Sequence, residues 1–439
     1  MLIRKHLDRF FALPVDSGLE PRFVRHFRRN FIVNASDIIL WRFGDSFMAI
    51  ATILPVFAST LTDSPIVIGL IPALGDAGWF IPQLFTATYV ERLHRKLPAV
   101  RFLGLLERIP YMLLWLAALL LPGAPPWLAV AAFLGMMVWR GVASGVVALP
   151  WQELIATVIP PTHRGRFFGF ANLMGDLLSV VGAGIAALIL AGLVYPHNYT
   201  LAFFVGAIFI GASWGFLSLT VEPVDAPAPE RRSPNGSLFD FKSYWSILRE
   251  DANFRIYLVS RGLAYMGGMA NGFLAVYGIE HFNLLDEQAA VFTALLFGSS
   301  ILGNAVWGTL GDRLGHKRVL EFSTALGIAT LLLALLSTSV LAYYVVFLLF
   351  GFGRAGGVLG DLNMALEIGP VARRPTYVGL ARTAPGWVLF AAPLVGGALV
   401  RWAGYPVLFV VAIAFTVSGL ALLWLRVIEP RHRKVSALS

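Results

Sequence analysis

Four arginines stand inside long apolar stretches, where arginine is least expected: Arg42, Arg140, Arg261 and Arg354. Acids accompany them in similar stretches, namely Asp45, Asp76, Asp176 and Asp361. An ionisable group in hydrocarbon is costly, and it ordinarily faces a cavity, a partner or a permeation path. Guanidinium presents a planar fork that grips a carboxylate or phosphate through two parallel hydrogen bonds. A carboxyl group at mid-depth is drawn toward neutral titration by desolvation, or held ionised by a nearby arginine. Two chemistries follow: capture of an anionic group and carriage of a proton, with Asp45 and Asp76 the foremost proton carriers and Asp361 behind them. A plainer use competes, in which the charges pair with one another and hold helices together. Asp45 is three residues from Arg42 on one helical face, and Arg354 and Asp361 are two turns apart on another. Glu107 beside Arg108 reads as a scaffold ion pair.

Other chemistries are excluded. The chain has no cysteine, and its eight histidines fall in tails and connections, so thiol chemistry and buried metal sites have no ligands. No phosphate-binding loop, cofactor motif or activated nucleophile appears, so neither an enzyme nor an ATP-driven pump is expected. The formal charge of +9 sits at the ends of apolar stretches rather than on a soluble face, which argues for topology signals and against nucleic acid.

The elements that must position these charges are membrane helices. Hydrophobic residues make up 57% of the chain and charged residues 13%, more apolar than a soluble core can absorb. The apolar residues come in runs of about 20, the length that crosses about 30 Å of hydrocarbon. Spans are expected near 35–61, 66–89, 100–121, 127–149, 167–190 and 201–221, then 254–279, 289–310, 319–339, 341–367, 377–400 and 405–426. Lys and Arg crowd the N-terminal tail, every second connection and the C-terminal tail, while the alternate connections hold only Arg401. By the positive-inside rule both termini are cytoplasmic, in a multi-pass protein of the cell membrane. The expected layout is a basic cytoplasmic segment (1–34), a six-helix bundle (35–221), a Pro-rich cytoplasmic linker (222–253), a second bundle (254–427) and a cytoplasmic tail (428–439).

The two bundles repeat one another. Ala87-Thr-Tyr-Val-Glu91-Arg92-Leu93-His94-Arg95-Lys96 aligns without gaps on Gly308-Thr-Leu-Gly-Asp312-Arg313-Leu314-Gly315-His316-Lys317. Phe133-Leu134 with Arg140 aligns on Phe347-Leu348 with Arg354, and Pro160, Arg164, Gly169 and Ala171 on Pro370, Arg374, Gly379 and Ala381. The stretch Gly308-x-Leu310-Gly311-Asp312-Arg313-x-Gly315-His316-Lys317-x-x-Leu320 resembles the cytoplasmic loop signature of the major facilitator superfamily. The first copy departs from it, with Ala87 and His94 replacing glycines and Glu91 replacing the aspartate.

That resemblance implies an all-α membrane protein of twelve transmembrane helices in two pseudo-symmetric six-helix bundles. It implies a solute site at mid-depth between the bundles, lined by spans one, four, seven and ten, with alternating access by rocking. It also implies a cytoplasmic latch built from Gly308, Asp312, Arg313, Gly315 and Lys317, with Glu91 and Arg92 in the weaker copy. Arg42, Asp45, Asp76, Arg140, Arg261, Arg354 and Asp361 are then the candidates for substrate binding or proton coupling. The expected activity is secondary active transport of a small organic solute, proton-coupled and outward, by a monomer that needs no cofactor. An exchanger of organic anions or phosphorylated solutes is the alternative. A lipid flippase, or a non-transporting assembly or sensor protein on the same fold, is a third class.

Overall fold

In the computed structural model the described residues are 21–83, 86, 93, 95–223, 241–370 and 373–429. The first half contains α1 (Pro21–Asp45), α2 (Ile53–Ser59), α3 (Pro65–Phe80), α4 (Leu97–Leu120), α5 (Pro126–Val158), α6 (Pro161–Gly192) and α7 (His197–Ser218). The second contains α8 (Phe241–Glu250), α9 (Ala252–Gly267), α10 (Leu274–Phe282), α11 (Gln288–Leu314), α12 (His316–Leu336), α13 (Val340–Ile368) and α14 (Arg374–Arg426). A short 3₁₀ turn links α1 to α2 (Ser46–Met48) and another links α9 to α10 (Gly268–Phe273). Each of these pairs is one broken rod, and α14 is two rods divided at Gly404, whose φ of 80° only glycine adopts without strain. Counted so, and with the short α8 set aside, the described residues form six rods and six. Among the described residues nine segments are long and apolar enough to cross a bilayer, the doubled α14 among them.

The helices outrun the apolar runs that announced them. α1 starts at Pro21 rather than near Ala35 because its first turns are amphipathic: Phe27 and Phe31 are buried while Arg25, Arg28 and Arg29 are not. Phe31 meets the Phe167 ring edge-on at 5.3 Å, and Phe27 meets His163 at 5.1 Å, which seals α1 against α6. α5 similarly continues past Leu149 to Val158, where Pro160 stops it.

The repeat is visible in side-chain anchors. Asn30 donates to the Val221 carbonyl at 2.9 Å and accepts from the Val221 N–H at 2.9 Å. Asn253 does the same to Ile428, at 3.1 Å and 2.7 Å. Each anchored residue precedes a Glu-Pro pair, Glu222-Pro223 and Glu429-Pro430. Counting from these asparagines places Arg42 level with Tyr265, one turn beyond Arg261. In the fourth and tenth rods the buried residues Phe133, Met137, Gly141, Leu154 and Val158 match Tyr343, Phe347, Gly351, Met364 and Ile368. That register carries Pro160 to Pro370 without a gap, sets Arg140 level with Phe350, and sets Arg354 level with Ser144. The aligned arginines are therefore displaced from one another by a turn, because equal sequence neighbours outweighed the packing register in the alignment.

The halves meet through α3 against α14 and α6 against α11. Their closest described contacts gather at the end away from the basic connections. Thr52 and Thr293 hydroxyls bond at 2.5 Å, and Tyr199 donates to Asp286 at 3.0 Å. A Cβ on Gly69 would sit 2.6 Å from the Pro393 carbonyl oxygen, and one on Gly397 would sit 2.7 Å from the Ile66 backbone. These backbones can approach because glycine has no side chain.

Candidate functional site

Asp45 ends α1 at the break in the first rod, and this places its carboxylate where the helix stops rather than along its wall. It pairs with Arg140 of α5, Nη2 to Oδ1 at 2.8 Å. Arg42, expected to share a face with Asp45, instead pairs with Asp176 of α6. Ser179, one turn beyond Asp176, donates to the Arg42 carbonyl at 3.0 Å, and Gly175 lies against the Arg42 side chain. Asp45 counted from the Asn30 anchor, Asp176 from the start of α6 and Arg354 from the end of α13 each sit roughly 20 Å in from the basic side, so they share one mid-depth layer.

Arg354 enters that layer from the other half. It is exposed, makes no hydrogen bond or ion pair among the described residues, and lies within electrostatic reach of both Asp45 and Asp176. The layer therefore holds three guanidinium groups and two carboxylates. Two cations are matched and one is left over. The expected Arg354–Asp361 pair does not form.

Arg140 is 6% exposed, and its Nη1 has no hydrogen-bond partner among the described residues. Its guanidinium lies 4.6 Å from the centroid of the Tyr111 ring, whose π face partly compensates the missing acceptor.

A second layer lies roughly 10 Å nearer the basic end, from Arg261 of α9 and Asp361 of α13. Arg261 Nη2 donates to Asp361 Oδ2 at 2.8 Å; its Nε is 2.7 Å from Oδ1 but poorly aligned for a hydrogen bond. The Tyr265 and Tyr257 hydroxyls also donate to Asp361, and Arg261 reaches Thr324 at 3.4 Å. This carboxylate is saturated with donors, the condition under which a buried pair is fixed rather than exchangeable.

Asp76 lies in α3 with its side chain outside the described residues, and Glu91 and Arg92 also lie outside them. In the loop signature, Gly315 takes φ 91° and ψ 157°, a conformation reserved to glycine, and joins α11 to α12. A Cβ on Gly308 would meet nothing within 4 Å, so in this conformation that glycine is not required by packing. Asp312 and Arg313 are exposed at the end of α11. Lys317 bonds within its own half, 3.2 Å from Glu321 and 3.3 Å from the Trp424 carbonyl oxygen.

The partners that sequence reasoning missed are Asp176 for Arg42, and Tyr257 and Tyr265 for Asp361. Asp176 was visible as an intramembrane acid, but its mate was not, since it lies 134 residues from Arg42. Tyr265 does carry a sequence signal, standing four residues from Arg261 on one helical face.

The sequence profile of the Major Facilitator Superfamily matches residues 258–438. No curated protein matches by sequence. Among solved structures, a variant of the nucleoside transporter NupG superposes with a TM-score of 0.69 at 14% identity, covering 90% of this chain and 98% of that one. A D-xylose-proton symporter gives 0.69 at 14%, covering 92% and 99%. A POT family transporter in complex with 5-aminolevulinic acid gives 0.66 at 14%, covering 92% and 96%. At these identities the likeness is one of fold.

Proposed function

We propose that this chain, which belongs to the Major Facilitator Superfamily by its C-terminal half and shares that fold throughout, is a secondary transporter moving a small organic solute by alternating access. The observation that carries the reading is Arg354, an exposed intramembrane cation without a mate among the described residues, brought by one half to the paired charges of the other. Such a cation in low dielectric is costly unless a ligand satisfies it. Its natural complement is an anionic group on the solute, held by Arg354 with Arg42 beside it.

Proton coupling enters through Asp45. Its carboxylate holds a single described hydrogen bond, from Arg140, at the break in the first rod. Protonating it releases Arg140, and Arg140 can then turn toward the bound anion. Asp76 is a second candidate carrier, and Arg261 with Asp361 forms the post on which the second half turns.

The contacts at the end remote from the basic connections close that side, and the charged layer then opens toward the basic side. With both termini cytoplasmic in the cell membrane, this is the inward-facing state of a monomer. In the opposite state Asp312 and Arg313 latch the cytoplasmic side against the start of α6, and Glu91 with Arg92 forms the weaker mate. Export is the direction proposed.

Flux in proteoliposomes tests the reading. A pH gradient should drive transport, and Asp45→Asn or Arg140→Ala should abolish it. Wild-type rates in both variants would remove the site. An exchanger of organic anions is favoured over proton coupling only if labelled anions counterflow without any gradient.

A further inference from the structure

The first half contains a third charged cluster, away from the layer between the bundles. Asp37 of α1 and the neighbours Glu107 and Arg108 of α4 are 4%, 6% and 4% exposed. Arg108 divides its guanidinium between the acids, Nη2 to Asp37 at 2.8 Å and Nη1 to Glu107 at 2.9 Å. Ser213 of α7 accepts from Arg108 Nε and Nη2, both at 3.2 Å, and Ser144 of α5 donates to the other Glu107 oxygen at 3.1 Å. The cluster ties together four rods, so its placement is built rather than incidental.

Its charge does not balance. Two carboxylates share one guanidinium, and every other acid–arginine pair described in the two charged layers is one to one. In a medium of low dielectric, a second ionised carboxylate without a cation costs more than taking up a proton. The next cation is Arg140, which feels Glu107 and has the unpartnered Nη1, but its Nη2 is held by Asp45. Tyr111 stands in the field of Arg140, Asp45 and Glu107 together.

We propose that Asp37 and Glu107 hold one proton between them near neutral pH, forming a proton-binding site inside the first bundle that communicates with the central layer through Arg140. Loss of that proton leaves a carboxylate whose nearest available cation is Arg140. Its pull weakens the Arg140–Asp45 pair, so the state of the buried site is felt where the solute is proposed to bind. The proton site itself does not depend on the transport reading and is testable without any substrate.

Infrared spectroscopy of the purified protein in lipid reads it directly. Near neutral pH the wild type should show the carbonyl band of a protonated carboxyl group. Asp37→Asn and Glu107→Gln should each remove the whole band, because whichever acid remains pairs one to one with Arg108 and ionises. Ser144→Ala, which deletes only a donor to Glu107, should keep the fold and shift the band. A wild type without such a band overturns the proposal, and so does a band that all three variants leave unchanged. A band removed by only one of the two acid variants would mean an independently protonated residue, and would overturn the sharing.

Discussion

The two halves are built on one frame but carry different charges. In the second half one acid, Asp361, takes hydrogen bonds from Arg261, Tyr257 and Tyr265, and Arg261 also reaches Thr324, although its Nε has no aligned acceptor among the described residues. In the first half Asp45 and Asp176 each hold a single arginine and no other donor among the described residues. The lesson is one of division of labour on a duplicated scaffold. A saturated pair resists change and fixes geometry, whereas an under-satisfied one can exchange a proton or a ligand at small cost.

The largest effect that would break this comparison is on stability. Asp361→Asn leaves Arg261 buried without a counter-charge and should cost about 3–5 kcal/mol. The double variant Arg261→Met/Asp361→Asn should recover much of that in a denaturant or thermal unfolding series. Asp45→Asn also leaves a buried arginine, Arg140, without its counter-charge, but it takes away one described hydrogen bond to the acid rather than three and should cost about 1.5–3 kcal/mol. Equal losses at the two sites would deny that one is fixed and the other adjustable.

Next in size are the loop glycines. Gly315→Ala forces a side chain into backbone space reserved to glycine and should cost about 1–3 kcal/mol. Gly308→Ala meets open space in this conformation and should move the unfolding midpoint by less than about 0.5 kcal/mol. If Gly308→Ala instead slows flux without changing stability, its glycine is needed in the opposite conformation. Between those two glycine effects, Asn30→Ala and Asn253→Ala each delete two hydrogen bonds to a single residue and should each cost about 1–2 kcal/mol. A large difference between them would show that the repeat is geometric but not energetic.

The smallest effect is on the gate. Burial pushes the Asp286 carboxyl above the usual carboxylate range, and the hydrogen bond from Tyr199 only partly offsets it. A raised acid binds its proton more tightly in the closed gate than in an open, hydrated one. Closure is therefore favoured at low pH and loses that contribution as pH rises through the raised value. The population with a short distance between spin labels at Thr52→Cys and Thr293→Cys should increase a few-fold on acidification, and Asp286→Asn should flatten that dependence.

Much of the fold was legible because lipid imposes a coarse code: apolar runs of span length, basic residues on one side, and a repeated loop. The same code hides the helix extensions, since Phe27 and Phe31 alternate with arginines and lower the local hydropathy. It also misplaced the repeat. Arg140 and Arg354 align by neighbouring Phe-Leu pairs, but packing sets them a turn apart, so the internal symmetry of the arginines was apparent rather than real. Residue type grouped Arg42, Asp45, Asp76, Arg140, Arg261, Arg354 and Asp361 as one candidate set; the structure divides the described ones between two layers and sets Asp176, read only as a possible neutralising acid, beside Arg42. Which charge pairs with which was not legible, because pairing depends on rods that meet 95 residues apart for Asp45 with Arg140 and 134 apart for Arg42 with Asp176.

In the proposed transport cycle Arg354, the cation of the second half that has no mate among the described residues, receives the solute. A thermal-shift screen of the purified wild type against small organic anions, repeated on Arg354→Ala, tests it most directly, because a ligand that binds only the folded state raises apparent stability. Arg354 has no described partner to lose, so the variant should fold with an unchanged midpoint. The account predicts that anions stabilising the wild type bind the variant roughly 30- to 100-fold more weakly, the equivalent of about 2–3 kcal/mol. Equal stabilisation of both proteins by the same ligand would contradict it.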